Sequence, residues 1–283
     1  MWCPLALVLP IVLRGSPPLP YVVEAGLNIL VDSGASASYL RQAVLDAGGP
    51  VAALAPGAQS VEATAPLRLP ADCGGILGFD ALGAARSFEL DLRGPHLLRL
   101  DEAAGDDEPR CVATVTATAF GGTRPYPTVP VTFYGAGECE CDALLDTGTP
   151  LTIANGALAA RAGLLDGGEA AEAPSTTVGV DGARTELRTL RAAGLVLGGG
   201  LELASLPVLV GDLPQWDQLG IPPADPASVV GLDVLGERFR CARARAAAKK
   251  KTRRDPSAAA ARKTRGSGRA APRPGETWTL QVW

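Results

Sequence analysis

The sequence predicts an all-β chain built from two related halves, with only a few short helices. Three observations lead there. Glycine (34) and proline (24) together make up about a fifth of the 283 residues, which favours many short elements joined by turns over long helices. The apolar residues fall in short β-branched runs bounded by those turns. Finally, several features of the first half recur in the same order in the second, the mark of an internal duplication.

The repeat is clearest at two short runs. Asn28-Ile29-Leu30-Val31-Asp32-Ser33-Gly34 aligns with Asp142-Ala143-Leu144-Leu145-Asp146-Thr147-Gly148: each is an apolar run ending in Asp, then a hydroxyl residue, then Gly. Downstream, Ile76-Leu77-Gly78-Phe79-Asp80 matches Val229-Val230-Gly231-Leu232-Asp233. Each is followed by a strand-like run, Ser87 to Leu92 and Arg238 to Arg243. Upstream, Leu9-Pro10-Ile11-Val12-Leu13 matches Val129-Pro130-Val131-Thr132-Phe133. Short helices are expected around Tyr39 to Ala47, Phe79 to Gly83, Ala157 to Ala162 and Leu232 to Leu235. Asp80 and Asp233 suit the capping of the helices beside them.

The halves differ in length. Asp32 to Gly78 spans 46 positions, whereas Asp146 to Gly231 spans 85. The longer interval holds a hairpin around Val178, Gly179, Val180, Asp181 and Gly182, with Asp181-Gly182 as its turn. The shorter one has little room for such a unit. These boundaries give a first lobe over 1–100, an acidic linker over 101–112, and a second lobe over 113–245 completed by 275–283. Between the last two strands lies a basic insert, 246–274, whose composition predicts disorder.

Charge is divided unevenly. The net charge is −4, yet Arg243 to Arg273 holds twelve Lys or Arg against a single Asp255, so the remainder is strongly acidic. The insert contains no aromatic residue to stack on bases, so nucleic acid is not the expected partner. Trp2 to Leu13 lacks a basic leader and a small-residue cleavage site and is broken by Pro4 and Pro10. It reads as a first β-strand rather than a signal peptide, and it is too short to span a membrane. The compartment cannot be read from the sequence. Six cysteines and one histidine, His96, form no metal-binding pattern, and His96 is expected in a surface turn. Cys139 and Cys141 suit strand positions, with a disulfide as the alternative. Gly198-Gly199-Gly200 lacks the Lys-Ser/Thr of a phosphate loop.

Taken singly, each Asp-Ser/Thr-Gly is ordinary turn chemistry. As a matched pair they resemble the aspartic protease superfamily, each lobe being most similar to retropepsin-like domains and the two together to the pepsin-like bilobal arrangement. The resemblance covers nearly everything except the basic insert, but only the short motifs are specific. It implies two pseudo-symmetric β-barrel-like lobes and a polypeptide substrate held in the cleft between them. It also implies a catalytic pair, Asp32 and Asp146, supported by Ser33, Gly34, Thr147, Gly148, Gly78 and Gly231, with the hairpin at 178–182 as a flap. No metal or organic cofactor is implied. Thr149-Pro150 departs from the retropepsin-like pattern, and the first lobe has no evident flap. Three readings stay open: a single-chain enzyme, favoured here; a homodimer working through two copies of the second lobe; and an inactive peptide-binding or scaffold protein.

Overall fold

The computed structural model describes residues 7–63, 69–101, 111–118, 125–165, 175–178, 184–198, 200–236, 238–243 and 272–282. The basic segment 246–271, on which the expectation of disorder rests, and the hairpin turn 179–183 lie outside the described residues.

The first half runs β1 (Leu7–Arg14), β2 (Leu19–Glu24), β3 (Leu27–Val31), β4 (Tyr39–Leu40), α1 (Gln42–Ala47), α2 (Pro50–Leu54), β5 (Gln59–Ser60), β6 (Cys73–Leu77), α3 (Phe79–Leu82), β7 (Ser87–Asp91) and β8 (Leu97–Leu100). The second runs β9 (Cys111–Thr118), β10 (Tyr126–Tyr134), β11 (Glu138–Leu145), β12 (Ile153–Ala154), α4 (Gly156–Arg161), β13 (Ser175–Val178), β14 (Arg184–Leu197), β15 (Leu201–Val210), α5 (Pro214–Gln218), β16 (Ser228–Val230), α6 (Leu232–Leu235), β17 (Arg238–Arg243) and β18 (Thr277–Val282). The four expected helices are present: α1 and α3 are trimmed, α4 is shifted by one residue and α6 has the expected bounds. Local chemistry explains two of the boundaries. Gly48 ends α1 in the left-handed conformation at φ 61°. The Asn155 side chain starts α4 by accepting from the Leu158 N–H at 2.9 Å. Helices α2 and α5, each with proline in its first turn, were not anticipated.

The expectation of two β-barrel-like lobes is overturned. Among the described residues, eighteen strands are hydrogen-bonded into one continuous sheet of mixed parallel and antiparallel pairs, accompanied by six short α-helices, and this sheet is not a barrel. The reason lies in the strands that end each half. They pair across the middle, β7 against β17 with Phe88 opposite Cys241 and Leu90 opposite Phe239, so the ladder continues from one half into the other. It extends outward through β8 to β1 on one side and through β18 to β9 on the other. In the first half the ladder stops at β5, only two residues long and paired to β4.

Pairing also corrects one of the sequence matches. The strand beside β3 is β2, and the strand beside β11 is β10. Residues 129–133 therefore correspond to β2, not to Leu9–Leu13. The counterpart of β1 is β9: both start against a closing strand, β8 or β18, and then pair with the next strand in sequence. An alternating apolar run matches almost any other such run, so the short motif was aligned one strand away from its true partner.

One hydrophobic cluster runs through both halves, from Leu9 and Ile29 to Leu195 and Val282. Aromatic edges lock it at the middle. Trp278 of β18 meets Phe79 of α3 edge-on at 5.4 Å, and Phe88 meets Phe239 at 6.1 Å. A smaller cluster gathers Leu144, Ile153, Leu187, Trp216, Leu219, Ala227 and Val229. Cys73, Cys139, Cys141 and Cys241 are free thiols, so Cys139 and Cys141 are strand residues of β11 without a disulfide. His96 is half-buried just after the turn at 93–95. No helix among the described residues is long and apolar enough to cross a membrane.

Candidate functional site

Two strands carry the aspartates in the same way. β3 runs parallel to β6 with Val31 opposite Leu77, and β11 runs parallel to β16 with Leu145 opposite Val230. The next amide on each delivering strand continues the ladder: Asp32 N–H donates to the Leu77 carbonyl and Asp146 N–H to that of Val230, both at 3.0 Å. The chain then leaves the sheet in a tight loop. Behind each loop pass Gly78 and Gly231. A Cβ on Gly78 would lie 2.5 Å from the Ala37 carbonyl oxygen, and one on Gly231 would lie 2.7 Å from the Leu151 backbone. Both contacts are with backbone that cannot swing aside, so only glycine fits.

The two loops are locked to each other by four hydrogen bonds. Ser33 N–H donates to Thr147 Oγ1 at 3.0 Å, and Thr147 N–H donates to Ser33 Oγ at 3.2 Å. Each hydroxyl then donates onward across the junction, Ser33 Oγ to the Leu145 carbonyl and Thr147 Oγ1 to that of Val31, both at 2.7 Å. Ser33 and Thr147 are 0% and 1% exposed, so every one of these groups would be costly to leave unpaired.

This lock brings the aspartates together. A Cβ on Gly148 would stand 2.6 Å from Asp32 Cγ, and one on Gly34 would collide with the Asp146 carboxyl, so each glycine makes room for the opposite carboxylate. The Asp32 and Asp146 carboxyls are near enough for each to affect the other's proton affinity. Asp32 Oδ1 accepts from Ala35 N–H at 3.0 Å, and Asp146 Oδ1 accepts from Gly148 N–H at 2.7 Å. Each aspartate keeps a partly exposed edge toward solvent, while the surrounding protein desolvates its carboxyl. Desolvation raises both from the ordinary carboxylate range, and the charge of Asp32 pushes Asp146 further, well above it. Acids that influence one another in this way titrate together rather than singly.

The sign of the linkage follows. A carboxyl whose folded pKa is raised adds stability below its ordinary pKa, and that contribution is lost as pH rises through the raised value. The Asp146→Asn variant should therefore be more stable than the wild type at pH 7, with the gap closing toward pH 4. A tenfold change in proton affinity between the folded and unfolded chain corresponds to about 1.4 kcal/mol. Melting temperatures measured from pH 4 to 7 check this, and a gap that does not change with pH would refute it.

The sequence reading missed a second tier of matched contacts. Ser38 Oγ donates to Asp80 Oδ1 at 2.6 Å and accepts from Gly78 N–H at 3.0 Å. Thr152 Oγ1 donates to Asp233 Oδ1 at 2.8 Å and accepts from Gly231 N–H at 3.2 Å. Asp80 and Asp233 do not cap α3 and α6, whose N-caps are Gly78 and Gly231 without a side-chain cap; each lies in the first turn, accepts from the next amide and ties its helix to the loop. Burial pushes the Asp233 carboxyl up despite its bonds from Thr152 and Val234. A signal was present in the sequence: a hydroxyl residue stands six positions after each loop aspartate, and an Asp two after each later glycine.

The predicted hairpin has its two strands. β13 pairs antiparallel with β14, with Thr177 opposite Thr185 and Val178 opposite Arg184. Gly179, Val180, Asp181 and Gly182 lie outside the described residues, so the flap tip is not placed. Among the described residues no group of three or more His, Cys, Asp or Glu could hold a metal ion.

No protein-family model and no curated protein matches the chain. Among solved structures it is similar, distantly, to an aspartic proteinase from Irpex lacteus. The TM-score is 0.43 at 14% identity, over 84% of this chain and 94% of that one.

Proposed function

We propose that the chain is an aspartic-type endopeptidase. The observation that carries this reading is that two loops locked by Ser33 and Thr147 set each aspartate carboxyl against the glycine of the other loop. Two acids sharing one proton supply a base and an acid at the same point. The ionised member takes a proton from a water, whose oxygen attacks the peptide carbonyl carbon. The protonated member first hydrogen-bonds the carbonyl oxygen, and a proton then passes to the leaving nitrogen as the C–N bond breaks. One water is consumed, and the products are a carboxylic acid and an amine. The loop glycines and the reciprocal hydroxyl bonds hold the acids in place, which matters because misplacement by about 1 Å can cost about 10²-fold in rate. In this reading the two halves act as lobes flanking the site, and the β13–β14 hairpin covers the peptide and excludes water. One chain supplies both carboxyls, so no second copy is needed to complete the pair.

The test is cleavage of a mixed peptide library between about pH 3 and 7. Because the charge repulsion and burial raise the pair above the usual range, the singly protonated form reaches into mildly acidic conditions. Cleavage should be fastest there and fall toward pH 7. A folded protein that cuts nothing across the range would instead support the peptide-binding or scaffold reading.

A further inference from the structure

We infer that a cavity of about 290 Å³ beside Asp146 receives a lysine or arginine side chain of a bound peptide. This rests on the endopeptidase reading only in naming the occupant as part of a substrate.

The position follows from strand geometry. Side chains alternate along β11: Ala143 and Leu145 face the main core, so Asp142 and Leu144 share the other face. Leu144 and Asp142 line the cavity, which therefore begins two residues before Asp146 on the strand that delivers it. Its volume is just below the ~300–1,000 Å³ of whole-ligand pockets, the scale of one large side chain.

The lining suits an aliphatic stem with a cationic head. Leu144, Trp216 and Ala227 form a buried apolar floor at 7%, 5% and 3% exposure. Asp142 and Asp225 are exposed at the rim, and neither carboxylate is engaged in a hydrogen bond or ion pair with a described residue. No Lys or Arg is among the described residues that line the cavity. Arg161 bonds the Ala224 carbonyl at 2.8 Å next to the rim, outside the lining. A lysine or arginine buries its methylenes on such a floor and keeps its charge among the carboxylates, with the indole as a further cation-attracting surface. Among the described residues the buried Trp216 indole N–H has no acceptor.

The experiment uses labelled octapeptides that differ only by Lys, norleucine or Glu, scanned position by position. Binding is read by fluorescence anisotropy at pH 6 on the full chain carrying Asp32→Asn, so turnover plays no part. At one position Lys should bind about tenfold tighter than Glu, the scale expected of two exposed ion pairs, with norleucine between. Adding Asp142→Asn and Asp225→Asn should abolish the Lys preference while changing norleucine affinity less than about twofold. No preference at any position, or a preference that survives both substitutions, overturns the inference. The wild type is assayed for cleavage with the same peptides. A Lys preference without cleavage leaves the cavity standing and removes the endopeptidase reading. Cleavage without a Lys preference does the reverse.

Discussion

Replacing either Asp32 or Asp146 with Asn should lower peptide hydrolysis by roughly 10²–10⁴-fold, the contribution expected of a positioned acid–base pair. Asn keeps the size and most of the hydrogen-bonding shape of Asp, and the Ser33–Thr147 lock does not pass through either carboxyl. The loops should therefore stay in place while the pair loses the group that exchanges protons. Equal loss from the two substitutions is the informative result, because in the proposed mechanism the two carboxyls act as one titrating unit. Values of kcat/KM at the optimum pH, with melting curves to show that each variant is folded, make the comparison. If only Asp146→Asn were fatal and activity fell on dilution, a homodimer of second halves would replace the single-chain reading. Full activity in both variants would remove the aspartate pair from the mechanism.

The largest expected loss of stability comes from far outside the site. Glu89 on β7 is shared by two guanidiniums, Arg238 of β17 at 2.9 Å and Arg99 of β8 at 2.7 Å. The Glu89 and Arg238 side chains are 4% and 6% exposed, so this charge cluster sits within the seam that joins the halves. Asp91 extends it, 3.3 Å from Arg99 and 3.2 Å from Arg93. Glu89→Ala deprives both guanidiniums of a contact under 3 Å and leaves a buried positive charge poorly compensated, at a cost of about 3–5 kcal/mol. Denaturant titration of the variant measures it, and a loss below about 1 kcal/mol would show that the cluster is well solvated. Glu89→Met combined with Arg238→Met should recover much of the loss, since an apolar pair removes both desolvated charges. The cluster also sets an acid limit. Burial pushes the Asp91 carboxyl up, but hydrogen bonds from Arg93 and Arg99 outweigh it and hold the group below the usual range. Such a carboxylate contributes stability above its ordinary pKa and loses it as pH falls through the lowered value. The site pair has the opposite trend, so stability should peak at mildly acidic pH, between the two titrations.

Much of the candidate site was legible in the residues because its requirements are local. An apolar strand, an aspartate, a hydroxyl and a glycine must follow one another for the loop to form. A second glycine must pass where a Cβ at position 78 or 231 would strike backbone. These are constraints on adjacent residues, so they leave a pattern, and its repetition made chance turns a poor explanation. The helices after Gly78 and Gly231 and the strands of the hairpin were readable for the same reason.

Other features emerged only from the folded chain. Ser33 and Thr147 are 114 residues apart, and their reciprocal bonds to each other's backbone form only when the two loops meet. The pairing of β7 with β17 turns two expected barrels into one continuous sheet, a choice made by long-range packing of Phe88, Phe239 and Trp278. Strand correspondence was misread at Leu9–Leu13 because a period of two carries no information about which strand lies alongside. The cavity under Asp142 and Asp225 is assembled from β11, α5 and the segment before β16, stretches whose proximity no local pattern records. Residue order alone was enough to specify the two loops and the strands that deliver them. Their meeting was settled by the fold, because contacts between residues so far apart along the chain depend on packing all of it.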